Sequence, residues 1–236
     1  MIKIISFKIC PCYQRISAIL EALNIPYESL FLDLNNIPKW FVDISPEIEP
    51  AIQTEAGDYI SGLDSVIHYI ENQYDTLFQD MNMKYQEDNE RWLELANQQY
   101  INQCNTQRSR DFDSMLEHGV PFFDGLEQME KRIGNTPFFQ SEKLSQVDIA
   151  WLPILHRAHI VKDQTGYDFL AEFPKLRQWQ KQLMATDIPT KSVPEDFIQV
   201  FDEFYLNKAT YLGNLFSSNE EPPLISSNLP CQCACP

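Results

Sequence analysis

The chain changes its period at residue 10, and that change most constrains the fold. An apolar, β-rich run from Ile2 to Ile9 gives way to a helical pattern in which Ile16, Ile19, Leu20 and Leu23 share one face. Asn24-Ile25-Pro26 stops that helix, and Tyr27 to Leu34 reads as a second strand. Pro38 to Asp43 forms a short helical turn. Ala51 to Gln53 and Tyr59 to Ile60 read as short strands joined by the turn Glu55-Ala56-Gly57-Asp58. Ser61-Gly62-Leu63-Asp64 has the form of a capping box, opening a helix through Val66, Ile67 and Ile70. The order is βαβ followed by ββα.

Beyond a polar, acidic stretch without period, the pattern is helical to about residue 216. Glu90 to Phe112 reads as one long helix. Ser114 to Ile133 reads as another, which Gly119, Pro121 and Gly125 are expected to kink or split. Ser145-Gln146-Val147-Asp148 repeats the capping-box pattern ahead of an apolar helix over Ile149 to Ile160. Phe173 to Met184 and Glu195 to Leu206 follow. The fold class is therefore α/β plus all-α: an N-terminal domain over 1–76, a linker over 77–88, a helical domain over 89–216, and a Ser/Asn/Pro-rich tail over 217–236 expected to be disordered.

The turn at residue 10 carries the chemistry. A cysteine there lies at a helix N-terminus, where free backbone N–H groups and the positive end of the macrodipole favour a thiolate. Pro11 at the first helical position loses no intrahelical hydrogen bond. The alternative is a small buried cysteine pair in a core. The net charge of −16 opposes nucleic-acid and anionic-membrane partners. No run approaches the ~20 apolar residues of a membrane span, and the N-terminus does not read as a signal peptide. A cytoplasmic location with reduced cysteines is the expectation.

Several motifs, in order, resemble the glutathione transferase family. Cys10-Pro11-Cys12-Tyr13-Gln14-Arg15 resembles the Cys-Pro-x-x-Gln-Arg motif of its cysteine-type, omega-like members. Ile25-Pro26-Tyr27-Glu28 resembles the lead into the second strand, and Pro38-Lys39-Trp40-Phe41 with Ser45-Pro46 the approach to the third. Glu49-Pro50 falls at the family's cis-proline. Ser145 to Ala150 and Phe173 to Trp179 resemble two segments of its second domain. The resemblance covers roughly residues 1 to 206. It implies a thioredoxin-like N-terminal domain, a helical C-terminal domain, glutathione as co-substrate and a homodimer.

The same resemblance assigns residues. Cys10 is the expected nucleophile, forming a mixed disulfide with glutathione. Tyr13, Glu49, Pro50, Leu63 and Asp64 are the expected glutathione contacts. Tyr100, Cys104 and Arg108, at i, i+4 and i+8 of the long helix, are the expected substrate pocket; a core or interface stripe fits that spacing equally. The chain departs from the family where the γ-glutamyl carboxylate binds. Gly62 and Leu63 stand where relatives carry a Glu/Gln-Ser pair, and Asp43 and Ile44 stand where omega-like proteins carry a lysine. Ser61 and Ser65 are candidate substitutes.

Cys-x-Cys would close a tight, strained ring, so monothiol chemistry at Cys10 is expected, with Cys12 incidental. His156 and His159 at i, i+3 have no third ligand nearby in sequence, and no metal site is expected from them. Cys231, Cys233 and Cys235 form an alternating triplet that suits soft-metal binding or resolution of a mixed disulfide. Two alternatives stand beside a thiol-transferring enzyme. One is a non-catalytic binding module on the same fold, and the other an enzyme of specialised metabolism using another thiol or electrophile.

Overall fold

A computed structural model describes residues 1–74 and 86–218. The first segment is a four-stranded sheet with three helices: β1 (Ile2–Ser6), α1 (Pro11–Ala22), β2 (Tyr27–Phe31), α2 (Lys39–Ile44), β3 (Ala51–Gln53), β4 (Tyr59–Ser61) and α3 (Leu63–Gln73). The sheet order is β2-β1-β3-β4. β1 pairs parallel with β2 and antiparallel with β3, with Ile4 opposite Ile52.

Both faces of β1 are covered. Ile2 and Ile4 join Ile16, Leu20, Ile52 and Val66 in the main core, while Ile5 packs with Phe7, Phe41 and Ala51 on the other side. A strand buried on two faces reads as a run of isoleucines rather than an alternation.

The second segment is helical: α4 (Gln86–Gln107), α5 (Phe112–Arg132), α6 (Gln146–Thr165), α7 (Pro174–Met184), α8 (Ile188–Lys191), α9 (Phe197–Tyr205) and α10 (Tyr211–Ser218). α6 is buried along almost its whole length, which explains its lack of a polar face. Its capping box is complete. The buried Asp148 carboxylate accepts from the N–H groups of Ser145 (2.7 Å), Phe139 (2.8 Å) and the Trp179 indole (2.6 Å). One hydrophobic cluster runs from Ile2 through α4 and α6 to Leu215, so the two segments share a core. No helix among the described residues is long and apolar enough to cross a membrane.

Four local expectations need comment. α1 does stop at Asn24, which takes a left-handed φ of 54°. The Ile25 N–H donates to Leu20 O and the Asn24 N–H to Glu21 O, closing a Schellman motif. Ser61 does not cap α3: it is the last residue of β4, opposite Ala51, and Gly62 at φ 91° is the cap, without a side-chain hydrogen bond. The Glu49–Pro50 bond is not cis, since the described residues contain no cis peptide; the reversal before β3 is made by Ile48 at φ 58°. α5 is neither split nor ended by Pro121. Gly125 instead meets α4, where a Cβ would collide with the Gln99 side-chain amide.

The linker over 77–88 and the tail over 217–236 lie outside the described residues, except that 86–88 begin α4 and 217–218 end α10. Cys231, Cys233 and Cys235 lie outside them too.

Candidate active site

Cys10 is the N-cap of α1, with extended backbone (φ −71°, ψ 123°) and Pro11 at the first helical position. Its N–H donates to Phe7 O at 3.1 Å, which fixes the turn out of β1. The thiol is drawn down to about 6. The neighbouring Cys12 thiol contributes most, and the Tyr13 and Cys12 backbone N–H groups add to it, against the opposing effect of burial. Donors converging on one sulfur at a helix start stabilise the thiolate. The Cys12 thiol is pushed up, chiefly because it gives its hydrogen to Cys10.

A cleft of about 550 Å³ opens in front of this turn. Pro11 and Cys12 from α1, Glu49, the residues Ser61 to Ser65 at the start of α3, and Asn97, Tyr100, Ile101 and Cys104 from α4 line it. Leu63, Asp64, Glu49, Tyr100 and Cys104, five of the residues singled out from sequence, therefore face one cavity. Cys10, half-buried, does not itself line it; the next two residues, Pro11 and Cys12, do. The N-terminus of α3 points free backbone N–H groups toward this space, an arrangement that favours an anionic group. The Glu49 carboxylate sits over it, 3.1 Å from where a Cβ on Gly62 would be. A second groove of about 620 Å³ shares Asp64 and Asn97 with the cleft. Arg15, only 4 % exposed, lines it and donates to Asn97 at 2.6 Å.

Behind Cys10 lies a buried polar network that joins the two segments. Arg157 of α6 donates to Ile9 O (3.0 Å), to Pro153 O (3.2 Å) and to the side-chain oxygen of Gln14. The Gln14 amide nitrogen reaches His156 Nδ1 at 2.8 Å. Burial pushes His156 down to about 3, so the ring is neutral and belongs to the core, stacked on Phe197. Burial lowers Arg157 as well, opposed by the nearby ionisable groups of Tyr205 and Cys10. The Tyr205 hydroxyl donates to Cys104 Sγ at 3.4 Å, which ties the far wall of the cleft to α9.

Three of the residues assigned from sequence do not line the cleft. Tyr13 does not face the cleft; it is 3 % exposed, shares a hydrogen bond with Ser29 Oγ at 2.9 Å and packs edge-on against Phe31. One residue along a helix turns the side chain by about 100°, and that step takes Tyr13 into the core beneath β2. Arg108 is exposed at the end of α4 and stacks over Phe204 at 4.9 Å, outside the cleft. Pro50 is buried, and its carbonyl accepts from the Gly62 N–H at 3.1 Å.

Arg157, Gln14 and Asn97 were not among the sequence candidates. Gln14 stood inside the quoted motif. For Arg157 the available signal was a charge within an otherwise apolar helix. Among the described residues no three His, Cys, Asp or Glu side chains are grouped to hold a metal. His159 pairs with Asp163 at 3.3 Å instead.

Comparison with known proteins agrees with this architecture. The family model for the glutathione S-transferase N-terminal domain matches residues 9–73, and that for the C-terminal domain matches residues 112–180. The chain is 25% identical over 194 residues to pyrimidodiazepine synthase of Drosophila melanogaster, covering 78% of this chain and 76% of the relative. It is 27% identical over 207 residues to glutathione S-transferase L1 of Arabidopsis thaliana, covering 83% and 84%. Among solved structures, the rice protein GST1 (OsGSTU1) in complex with glutathione superposes with a TM-score of 0.73 at 18% identity, over 88% of this chain and 97% of that one.

Proposed function

Because the chain belongs to the glutathione S-transferase family, matched in order by both of its domain models, we propose that it is a cysteine-dependent thiol transferase of the omega-like type that uses glutathione as co-substrate. The observation that carries this reading is the Cys10 thiol, held near 6 at the start of α1 beside the cleft. At neutral pH such a sulfur is a thiolate and a nucleophile.

The Cys10 thiolate attacks the glutathionyl sulfur of a mixed disulfide. A sulfur–sulfur bond forms on Cys10, the substrate's disulfide bond breaks, and the substrate thiolate leaves and takes a proton from water. A second glutathione thiolate then removes the glutathionyl group as oxidised glutathione and restores Cys10. The peptide's cysteinyl portion would lie along the Glu49 backbone, and its γ-glutamyl carboxylate at the backbone N–H groups opening α3, with Ser61 and Ser65 as the hydroxyls lining the cleft there in place of Leu63. Cys104, Tyr100 and Ile101 would face the second substrate.

The direct test is turnover of hydroxyethyl disulfide with glutathione. Cys10→Ser is expected to abolish it, and activity at the wild-type level in that variant rejects the assignment.

A second reading rests on Glu49, Asp64 and Leu63. Two carboxylates and an apolar side chain surround the place where a carboxylate would bind, which favours a module that has lost glutathione or uses a thiol with a different acidic end. One charged hydrogen bond contributes ~1.5–3 kcal/mol, tenfold or more in affinity. Calorimetric titration with glutathione decides: saturation below ~1 mM excludes this second reading.

A further inference from the structure

The groove beside the cleft has no task in the thiol-transferase reading. Its volume is about 620 Å³, and its charged lining comes from three helices: Arg15 from α1, Asp64 and Glu71 from α3, Glu90 and Glu94 from α4. Arg15 sets the chemistry of the floor. Its side chain is 4 % exposed. It donates to the Asn97 side-chain oxygen at 2.6 Å, a neutral acceptor, and its buried Nε has no hydrogen-bond partner among the described residues. None of the ion pairs among the described residues includes it. A buried guanidinium outside any ion pair keeps an unmatched positive charge, and a carboxylate is the group that fits its planar fork at two points.

The rim carries the opposite sign. Asp64, Glu90 and Glu94 are exposed, and Glu71 accepts from the Gln146 amide at 2.6 Å. A ligand with anionic groups alone is repelled by these carboxylates, and a purely cationic one by Arg15 beneath them. A carboxylate next to an ammonium, the end group of an α-amino acid, complements both.

We propose that this groove receives the γ-glutamyl end of the second glutathione, with its α-carboxylate on Arg15 and its α-ammonium among Asp64, Glu90 and Glu94. The proposal rests on Cys10 being the nucleophile, since the second glutathione resolves the adduct formed there. Groove and cleft share Asp64 and Asn97, so a peptide can lie across both. Arg15 follows Cys10 by five residues, about 7.5 Å of helix rise. An extended γ-glutamyl-cysteinyl unit spans about 8–9 Å from the glutamyl α-carbon to the sulfur, enough to carry a thiol from an anchor at Arg15 to the Cys10 turn. The incoming thiol passes its proton to water. Its sulfur bonds to the glutathionyl sulfur, the bond to Cys10 breaks, and Cys10 leaves with the electron pair as a thiolate. The incoming sulfur is oxidised, the Cys10 sulfur is reduced, and oxidised glutathione departs.

The two half-reactions can be timed separately. Full-length protein is loaded with oxidised glutathione and freed of excess; an adduct of about 305 Da, missing from Cys10→Ser, marks Cys10. Loaded protein is then mixed with reduced glutathione or with mercaptoethanol, which has no amino-acid end, and loss of the adduct is followed by intact mass. In wild type the rate is expected to saturate with glutathione and to rise linearly with mercaptoethanol. Arg15→Gln is expected to slow removal by dilute glutathione about tenfold and to leave removal by mercaptoethanol unchanged. Should Arg15→Gln fail to fold, the double variant Glu90→Gln/Glu94→Gln on the exposed rim carries the test. Its half-saturating glutathione is expected to rise about two- to fivefold, again with the mercaptoethanol rate unchanged. A linear dependence on glutathione in wild type overturns the proposal. Unchanged glutathione kinetics in the variant that folds overturn it too, as does an equal loss with both thiols, which marks a structural role. An absent adduct in wild type removes the Cys10 assignment and this proposal with it.

Discussion

Arg157 donates to the carbonyl oxygen of Ile9 at 3.0 Å, across 148 residues of sequence. Ile9 directly precedes Cys10, so a buried guanidinium on α6 holds the turn that presents the sulfur. The same group holds Gln14, one helical turn further on. The helical segment thereby fixes the geometry of a site whose nucleophile belongs to the other segment.

Replacing Arg157 by Met takes the donor away from Ile9 O and from the Gln14 side-chain oxygen in the interior. The expected cost is about 2–4 kcal/mol of stability, accompanied by slower alkylation of Cys10 and a higher pH midpoint for it. Lys at this position should not restore either property, since a single ammonium cannot reproduce the fork. Urea unfolding and the pH profile of iodoacetamide alkylation are the paired measurements. Wild-type behaviour in both would show that the network plays no part at the site.

Alkylation of Cys10 should be half-maximal near pH 6, where an ordinary thiol is almost wholly protonated. Cys12→Ala removes the largest of the donors and should move that midpoint upward. The linked stability has a definite sign. The folded-state value lies below the unfolded one, so the unfolded state binds more protons between them. Stability therefore rises from about pH 6 toward pH 9 and is lost as pH falls through 6. Above pH 9 the raised Cys12 value acts in the opposite direction. Urea midpoints across this range, compared with those of Cys10→Ser, should show the rise in wild type alone.

Tyr13→Phe is expected to leave turnover unchanged and to cost about 0.5–1.5 kcal/mol, the value of one hydrogen bond to Ser29. A large fall in kcat/KM with unchanged stability would return the hydroxyl to the site.

Glu49→Gln removes a negative charge beside the start of α3. Because Glu49 is exposed, solvent screens much of its effect, and glutathione should bind roughly two- to fivefold more tightly. The gain should shrink with added salt. Calorimetry at two ionic strengths measures both, and weaker binding in the variant would instead make the Glu49 carboxylate a ligand contact.

The order of strands and helices, the arrest of α1 at Asn24 and the Ser145 capping box were legible in the chain because each depends on residues within a few positions of one another. A period, a left-handed Asn and a serine three residues before an acid act locally, so their physics is written locally. The same holds for a sulfur at the start of a helix. Where a local pattern misled, a longer-range partner had claimed the residue. Ser61 pairs with Ala51 in the sheet, Tyr13 turns to Ser29, and Gly125 makes room for Gln99. Which of two neighbouring thiols faces the cleft, where the Glu49 charge stands, and that Arg157 supports the Cys10 turn were decided only by tertiary structure. Those relations join groups from different elements, brought together because burying one shared core requires each buried donor and acceptor to find a partner wherever the packing places one.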